Sequence, residues 1–215
     1  VVKIVYGVSY PDDGGRLVTS EVQGTPLFPI GRPGYAVTHL AYGDASASDT
    51  GTRKLVAAVQ EVDGRTELHA ATLSQSRTLF GMGPLKEDAT YDLTHLLNGE
   101  PQDVLVNWEA DAVVVGNADG SVCYIPFVKG AFDVRQRFRP FEDLPDPRIA
   151  SMHYVLGDVS IVFTAVSGEM RVWSLYRDAA TDMRVWGQTK TFPALPAGGA
   201  AYYAPSLRNK AFLTG

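Results

Sequence analysis

Short apolar runs alternate with turn residues along most of this chain. In the central example, the apolar run Val113–Val115 is followed by the turn pair Asp119-Gly120 and then by an alternating polar and apolar run from Ser121 to Phe127. β-Branched runs joined by Asp-Gly are typical of a hairpin. The pattern predicts two antiparallel strands here, and it recurs on both sides.

The other predicted strands fall into successive groups. A hairpin is predicted from residues 1–10 and 16–22, with a turn at 11–15. Residues 54–62 also fit a helical face, but the Asp63-Gly64 turn and the alternating run after it favour a strand. The remaining predicted strands are 36–42, 54–62 and 65–73; 102–108, 111–116, 121–128 and 132–138; 149–156, 159–166, 169–176 and 183–192; and 200–204 and 210–214.

The segments between these groups have the composition of connectors. Residues 24–34 and 140–147 each contain three prolines, which predicts extended chain with few ladder hydrogen bonds. Residues 43–51, rich in Gly, Ser and Asp, are predicted as a turn. The only helix candidate is Asp92–Asn98, capped by Asp92 and ended by Asn98-Gly99.

The turn pairs recur at a countable interval. Asp63-Gly64, Asp119-Gly120 and Ser167-Gly168 follow one another at 56 and 48 residues, and four-stranded propeller blades repeat about every 40–50 residues. We therefore predict an all-β fold, a β-propeller or propeller fragment of four-stranded antiparallel blades. The predicted single domain spans residues 1–215, with units at roughly 1–23, 36–80, 102–138, 149–192 and 199–215, the first and last being incomplete.

Two histidines occupy matching places in this repeat. Residues 38–44 parallel residues 152–158, which places His39 and His153 in the first strands of their units, whereas Val106 takes that place in the middle unit. Neither these histidines nor His69 and His95 show metal-ligand spacing. Structural or solvent-facing roles are predicted for all four. The alternative, a propeller enzyme with a central hydrolytic site, would need His39, His153 and an acid in one cavity.

Other candidate chemistry has simpler explanations. No Gly-x-Ser-x-Gly element is present. Turn capping accounts for the acid pairs, tight turns account for the glycine pairs, and blade packing or a rim contact accounts for the strand aromatics. The sequence predicts no catalytic residue, no metal ligand set and no cofactor site. The acid pairs are Asp12-Asp13 and Asp143 to Asp146, and the glycine pairs are Gly14-Gly15 and Gly198-Gly199. The strand aromatics are Trp108, Trp173, Trp186, Tyr124, Tyr154 and Tyr176.

Composition narrows the possible partners. The net charge of −5 gives no reason to expect binding to nucleic acid or anionic membranes. Cys123 is the only cysteine, which excludes an intramolecular disulfide and a cysteine metal cluster. No run of about eighteen apolar residues is present. Because the chain opens on a strand-like run without Met, we expect it to be a piece of a longer protein.

Several segments resemble known families. Residues 116–122 and 166–175 resemble the third-strand entry of WD-repeat-like propellers. From Tyr6 onward, the chain resembles the soluble insert of the proteobacterial phosphate ABC transporter permease subunit. The resemblance is carried by Val8-Ser-Tyr-Pro-Asp-Asp13, Val172-Trp-Ser-Leu-Tyr-Arg-Asp178 and Ser206-Leu-Arg-Asn-Lys-Ala-Phe-Leu-Thr214.

This resemblance implies a function and a location. The parent permease would be embedded in the inner membrane, and the insert would lie on its periplasmic side as a non-catalytic binding or regulatory domain. Its partner would be the periplasmic phosphate-binding protein or another transporter subunit. A purely structural spacer is the remaining alternative. Open blade edges also allow self-association, or the first hairpin (1–22) could pair with the last (200–214) to close a ring.

Overall fold

A computed structural model describes residues 2–3, 7–11, 14, 17–21, 27–28, 30–48, 51–78, 81–155, 159–194, 201–203 and 212–214. Most of the described residues are in strands. A short 3₁₀ turn spans Thr94–Leu96. No helix in the described part is long and apolar enough to cross a membrane.

The strands follow the chain in hairpin order. In sequence they are β1 (Val2–Lys3), β2 (Gly7–Pro11), β3 (Leu17–Glu21), β4 (Leu27–Phe28), β5 (Val37–Ser48), β6 (Gly51–Val62), β7 (Arg65–Thr78), β8 (Gly81–Asp92), β9 (Pro101–Val106), β10 (Ala112–Asn117), β11 (Val122–Val128), β12 (Ala131–Phe132), β13 (Gln136–Phe138), β14 (Ile149–Val155), β15 (Ser160–Ala165), β16 (Met170–Arg177), β17 (Arg184–Phe192), β18 (Ala201–Tyr203) and β19 (Phe212–Thr214).

Three large antiparallel sheets form the described centre of the molecule. The first blade has the order β5-β6-β7-β8, and the third has the order β14-β15-β16-β17. The second blade runs β9-β10-β11, and its outermost position is shared by β12 and β13, which both pair with β11. Each blade is thus a meander in which consecutive strands are neighbours.

The predicted turns hold the hairpins in register. Asp63 (φ 49°) with Gly64 (φ 75°), and Lys129 (φ 54°) with Gly130 (φ 86°), place two successive residues at positive φ. This is the backbone of a type I′ turn, whose twist matches that of the flanking strands. The strand prediction for Lys54–Val62 is confirmed, because these residues lie within β6 and pair with β5 and β7.

Inner strands are buried on both faces. In β10, Val113 and Val115 belong to the core shared with the first blade, whereas Ala112 and Val114 belong to the core shared with the third. Successive side chains of a strand point to opposite faces, so one strand supplies both cores. The blades therefore stack face to face in sequence order.

The outer face of the first blade is covered by the connector that precedes it. Ile30 and Val37 pack there against Val56, Ala58 and Leu73. The side chain of Gln60, 1% exposed, accepts a hydrogen bond from Arg32 N (2.8 Å). The same side chain donates to the carbonyls of Arg32 and Tyr35 (both 3.3 Å). These bonds fasten the connector to β6.

The first blade extends further than the sequence pattern indicates. The predicted turn at residues 43–51 is wrong over most of its length, because β5 continues to Ser48 and β6 begins at Gly51. The predicted unit closed at residue 80, whereas β8 pairs with β7 up to Asp92. Gly81, Gly83 and Pro84 concealed this fourth strand, since such residues usually mark loops.

Two further segments differ from their predictions. The predicted fourth strand at 132–138 is interrupted, with Asp133 N donating to Pro126 O (3.3 Å) and Arg135 N donating to Tyr124 O (3.0 Å) between β12 and β13. The helix predicted at 92–98 is reduced to the single 3₁₀ turn, in which Thr94 N donates to Asp92 Oδ1 (3.0 Å). Leu27–Phe28, predicted as a connector, pairs with β1.

The terminal hairpins are confirmed in their internal pairing. β2 pairs with β3, from Gly7↔Glu21 to Pro11↔Leu17, and β18 pairs with β19, from Ala201↔Thr214 to Tyr203↔Phe212. In the described residues each pair forms its own two-stranded sheet, and the proposed pairing of the first hairpin with the last is not among the strand pairs found there.

Candidate functional site

A groove opens where the core between the second and third blades reaches one end of the strands. We call it the rim groove and define it by Trp108, Val128, Val159, Met183, Arg184 and Trp186, which line a cavity of about 850 Å³. The lining residues come from the β9–β10 turn, the end of β11 and the adjoining ends of β15, β16 and β17. Clefts between packed elements are the usual places for ligands and partner segments.

Trp108 is presented by a braced turn. Asn107, 7% exposed, accepts hydrogen bonds through its Oδ1 from Asp111 N (3.0 Å) and Ala112 N (2.8 Å). Its Nδ2 donates to Asp111 Oδ1 (2.6 Å). These bonds satisfy the backbone of the turn and allow Ala110 to adopt a φ of 51°. The indole of Trp108, 55% exposed, is therefore carried on a fixed support.

The first blade also holds this turn. Arg53 in β6 donates a hydrogen bond to the carbonyl of Glu109 (3.0 Å), and its Nη2 lies 3.8 Å from Asp111 Oδ2. Side chains of the first and second blades thus meet at one turn of the rim. Such exposed ion pairs add little stability, but they restrict the positions that the turn can take.

The floor of the groove is aromatic. Trp186, 2% exposed, packs edge-to-face on Tyr124 with ring centroids 5.8 Å apart, and it lies at a tilt to Tyr154 at 6.3 Å. Trp186 Nε1 is buried without a hydrogen-bond partner among the described residues. Aromatic packing of this kind makes the floor stiff.

The walls of the groove carry several large apolar side chains that are exposed close to one another. Val159 is 51% exposed, Met183 43% and Val128 41%, in addition to Trp108. A smaller cavity of about 410 Å³ continues from the groove along Tyr176, which is 52% exposed. Contiguous apolar patches with polar rims mark interaction sites on soluble proteins.

A second cavity, of about 450 Å³, lies at the opposite end of the strands. It is lined by His39 of β5 and Asp103 of β9, among others. Burial raises the pKa of Asp103, against the lowering effects of the Val104 N–H and of charge on His39 and His153. The structure thus brings both histidines of the repeat near one acid, but His153 is not among the described residues that line this cavity.

The hydroxyls of this second cavity are engaged. Thr38 donates to the carbonyl of Val59 (3.2 Å), and Thr66 donates to Glu100 (3.0 Å). A nucleophile needs a base that accepts its proton, and the Val59 carbonyl bonded by Thr38 is not such a base. Within the described residues, no group of three or more His, Cys, Asp and Glu side chains could hold a metal ion.

The two remaining histidines lie apart from both cavities. His69 is 7% exposed and its Nε2 lies 3.0 Å from Glu67, which also pairs with Arg32 (2.9 Å). His95 is exposed in the 3₁₀ turn. The single cysteine, Cys123, is fully buried, and its thiol donates to Asn98 Oδ1 (3.2 Å).

The predicted acid pair at 143–146 lies in the connector between the second and third blades, where each aspartate binds an arginine. Both oxygens of Asp143 bind the guanidinium of Arg171 (2.6 and 2.8 Å), which also donates to the carbonyl of Pro140 (3.0 Å). Hydrogen bonds from the Arg148 side chain and backbone lower the pKa of Asp146 to about 2. Asp12-Asp13, Gly15 and Gly198-Gly199 lie outside the described residues.

The predicted aromatics divide between the two predicted roles, packing between blades and contact at the rim. Trp173 stacks on Phe138 of the second blade, with centroids 4.5 Å apart and planes 24° from parallel, and Tyr124, Tyr154 and Trp186 form the floor. Trp108 and Tyr176 reach the rim. Sequence reasoning missed Met183, Val128 and Val159 as groove residues, because strand ends from two blades must meet before their shared exposure becomes visible.

Comparison with known proteins gives structural likeness only. No protein-family model and no curated protein matches the chain. Similar solved structures include Sqt1 of Saccharomyces cerevisiae, at 12% identity and a TM-score of 0.47 over 78% of this chain and 39% of that one. The Dos1 propeller is similar at 10% identity, with a TM-score of 0.45 over 92% of this chain and 57% of that one. The Cps50 (Swd1) β-propeller domain of Myceliophteria thermophila is similar at 10% identity, with a TM-score of 0.40 over 84% of this chain and 62% of that one. The chain spans less than two thirds of each.

The class of fold follows from the blades themselves. Consecutive four-stranded antiparallel meanders, stacked face to face with their first strands β5, β9 and β14 adjacent, are the blades of a β-propeller. The predicted fold class is confirmed. Function depends on the sites that such a scaffold carries.

Proposed function

We propose that this chain is a non-catalytic propeller domain that binds a protein partner through the rim groove. The observation that carries the proposal is the braced Trp108, more than half exposed beside three other exposed apolar side chains. Large aromatic side chains held rigidly at a surface provide most of the binding energy in many interfaces.

We propose further that the domain belongs to a phosphate ABC transporter permease and lies on the periplasmic side of the inner membrane, where it binds the phosphate-binding protein. Support comes from the segment resemblances in the sequence. In one of these segments, residues 172–177 form the end of β16, and Leu175, Tyr176 and Arg177 border the groove or its continuation.

Calorimetric titration tests both parts. The chain is titrated with the periplasmic phosphate-binding protein, with and without phosphate, beside Trp108→Ala and the control Leu40→Ala, which removes a 53% exposed side chain outside the groove. We expect binding by the parent chain and Leu40→Ala, and a loss of about 2 kcal/mol or more in Trp108→Ala. Absence of binding in both states of the partner overturns the transporter proposal, and equal binding by Trp108→Ala overturns the groove as the docking site.

A further inference from the structure

Two arginines face each other across the outer edge of the third blade, at the mouth of the rim groove. Arg177 of β16 and Arg184 of β17 are directly opposite in the ladder. Directly opposed side chains in an antiparallel pair have Cβ atoms about 5 Å apart, and like charges there are destabilising. Acidic groups beside the two arginines would therefore reduce the repulsion between them.

The chain supplies an acid to only one of the two. Asp182 binds Arg177, with Nε–Oδ1 at 2.6 Å and Nη2–Oδ2 at 2.9 Å. Arg184 is exposed and lines both the groove and its continuation, and it has no hydrogen bond or ion pair to a side chain among the described residues. In the part of the chain that the structure describes, Arg184 is thus a cation without an acidic partner.

The acids that line the groove, Glu109 and Asp111, both lie in the β9–β10 turn of the second blade. Asp111 accepts a hydrogen bond from Asn107 Nδ2 and lies near Arg53, at the far wall of the groove from β17. Arg135, also in the lining, lies 3.7 Å from Asp133. The side of the groove formed by β16 and β17 therefore combines apolar walls with unmatched positive charge.

We propose that the occupant of the rim groove is an acidic segment of the protein partner, in which a large apolar side chain lies next to an Asp or Glu. The apolar side chain packs among Trp108, Val159 and Met183, and the carboxylate binds the guanidinium of Arg184. Arginine forms paired hydrogen bonds with carboxylates, which fixes the direction of the segment as well as its position. The inference rests on the proposed function, because it requires a protein to dock in this groove.

Peptide selection tests the inference without knowledge of the partner. Random dodecapeptides displayed on phage are selected on the intact chain, on Trp108→Ala, on Arg184→Glu and on a control. The control is Arg65→Glu, which reverses an exposed charge at the other end of the strands. We expect the parent chain and Arg65→Glu to enrich peptides with Asp or Glu beside an aromatic or large aliphatic residue. Arg184→Glu is expected to enrich Lys or Arg at that place.

Binding of one synthetic selected peptide is then measured by fluorescence anisotropy. We expect Arg184→Glu to weaken it about tenfold and added salt to weaken binding to the parent chain, because screening reduces exposed charge attraction. Near-ultraviolet circular dichroism checks that each variant is folded.

The outcomes separate this inference from the proposed function. Peptides without acidic enrichment, or with unchanged affinity for Arg184→Glu, overturn the acidic segment while the groove proposal stands, provided that Trp108→Ala still abolishes binding. Selection that is unaffected by Trp108→Ala overturns both. A selection that enriches no peptide also overturns the inference.

Discussion

The side-chain amide of Gln136 pairs with the backbone of Trp186 across the junction between the second and third blades. Gln136 Nε2 donates to Trp186 O (2.8 Å), and Trp186 N donates to Gln136 Oε1 (2.6 Å). Trp186 lies in β17, the outermost strand of its blade, so the glutamine takes the place that a further strand would occupy. One side chain thus protects a strand edge and joins two blades.

We expect Gln136→Ala to lower the free energy of unfolding by about 2–3 kcal/mol, because the Trp186 N–H and C=O would be left unsatisfied in a buried setting. Urea denaturation followed by tryptophan fluorescence measures the change. Gln188→Ala is the control, since the side chain of this exposed glutamine donates one hydrogen bond, to Thr191 (3.2 Å), among the described residues. Its loss should lower the free energy of unfolding by no more than about 0.5 kcal/mol. Equal effects of the two substitutions would contradict the bridging role.

Gly120 and Gly130 give a matched test of a close contact. Both have positive φ (78° and 86°), but a Cβ on Gly120 would lie 2.2 Å from the carbonyl oxygen of Pro147, whereas a Cβ on Gly130 meets nothing within 4 Å. We expect Gly130→Ala to cost about 1 kcal/mol through backbone strain alone. Gly120→Ala should cost at least about 1 kcal/mol more. Similar melting temperatures for the two variants would refute the contact.

The partly buried carboxyl of Asp103 should make the free energy of unfolding depend on pH. Its pKa is raised, mainly by burial, so the native state holds the proton more tightly than the unfolded state. Stability associated with this group is present below pH 3.8 and is lost as pH rises through the native pKa. We expect Asp103→Asn to be more stable than the parent chain at pH 7, with a difference that vanishes near pH 3. Denaturation at several pH values measures this, and a larger difference at low pH would reverse the sign and disprove it.

Cys123 reports on the opening of the core between the first two blades. The thiol is fully buried between Asn98 and Asn117, so a thiol reagent should react with native protein at least about a hundredfold more slowly than with protein in concentrated urea. The rate of absorbance change with an aromatic disulfide reagent gives the comparison. Fast labelling of native protein would show that the core opens without unfolding.

Much of the fold could be predicted because the hairpin turns are local. Asp63-Gly64 adopts the positive φ values that its residue types favour, and Gly130 allows the positive φ of the next such turn. The four strands of the third blade begin and end within two residues of their predicted limits where they are described. The apolar run Val113–Val115 was also predicted as a strand, and it lies within β10.

The candidate site could be predicted only in part. Trp108 and Tyr176 were recognised as packing or rim residues, but the groove requires the ends of the second and third blades to lie side by side. No sequence pattern singles out Asp103, because it comes close to His39 and His153 only when the first strands of three blades become neighbours. The fourth strand of the first blade, Gly81–Asp92, was likewise hidden by glycine and proline that pairing with β7 accommodates.

The sequence by itself determined the strands, their hairpin turns and the repeat, because these depend on residues that are near one another along the chain. The tertiary structure decided which strand ends meet, that Asp143 binds Arg171, and that Arg184 has no acidic partner among the described residues. Those outcomes depend on contacts between residues far apart in sequence, whose distances no local pattern specifies.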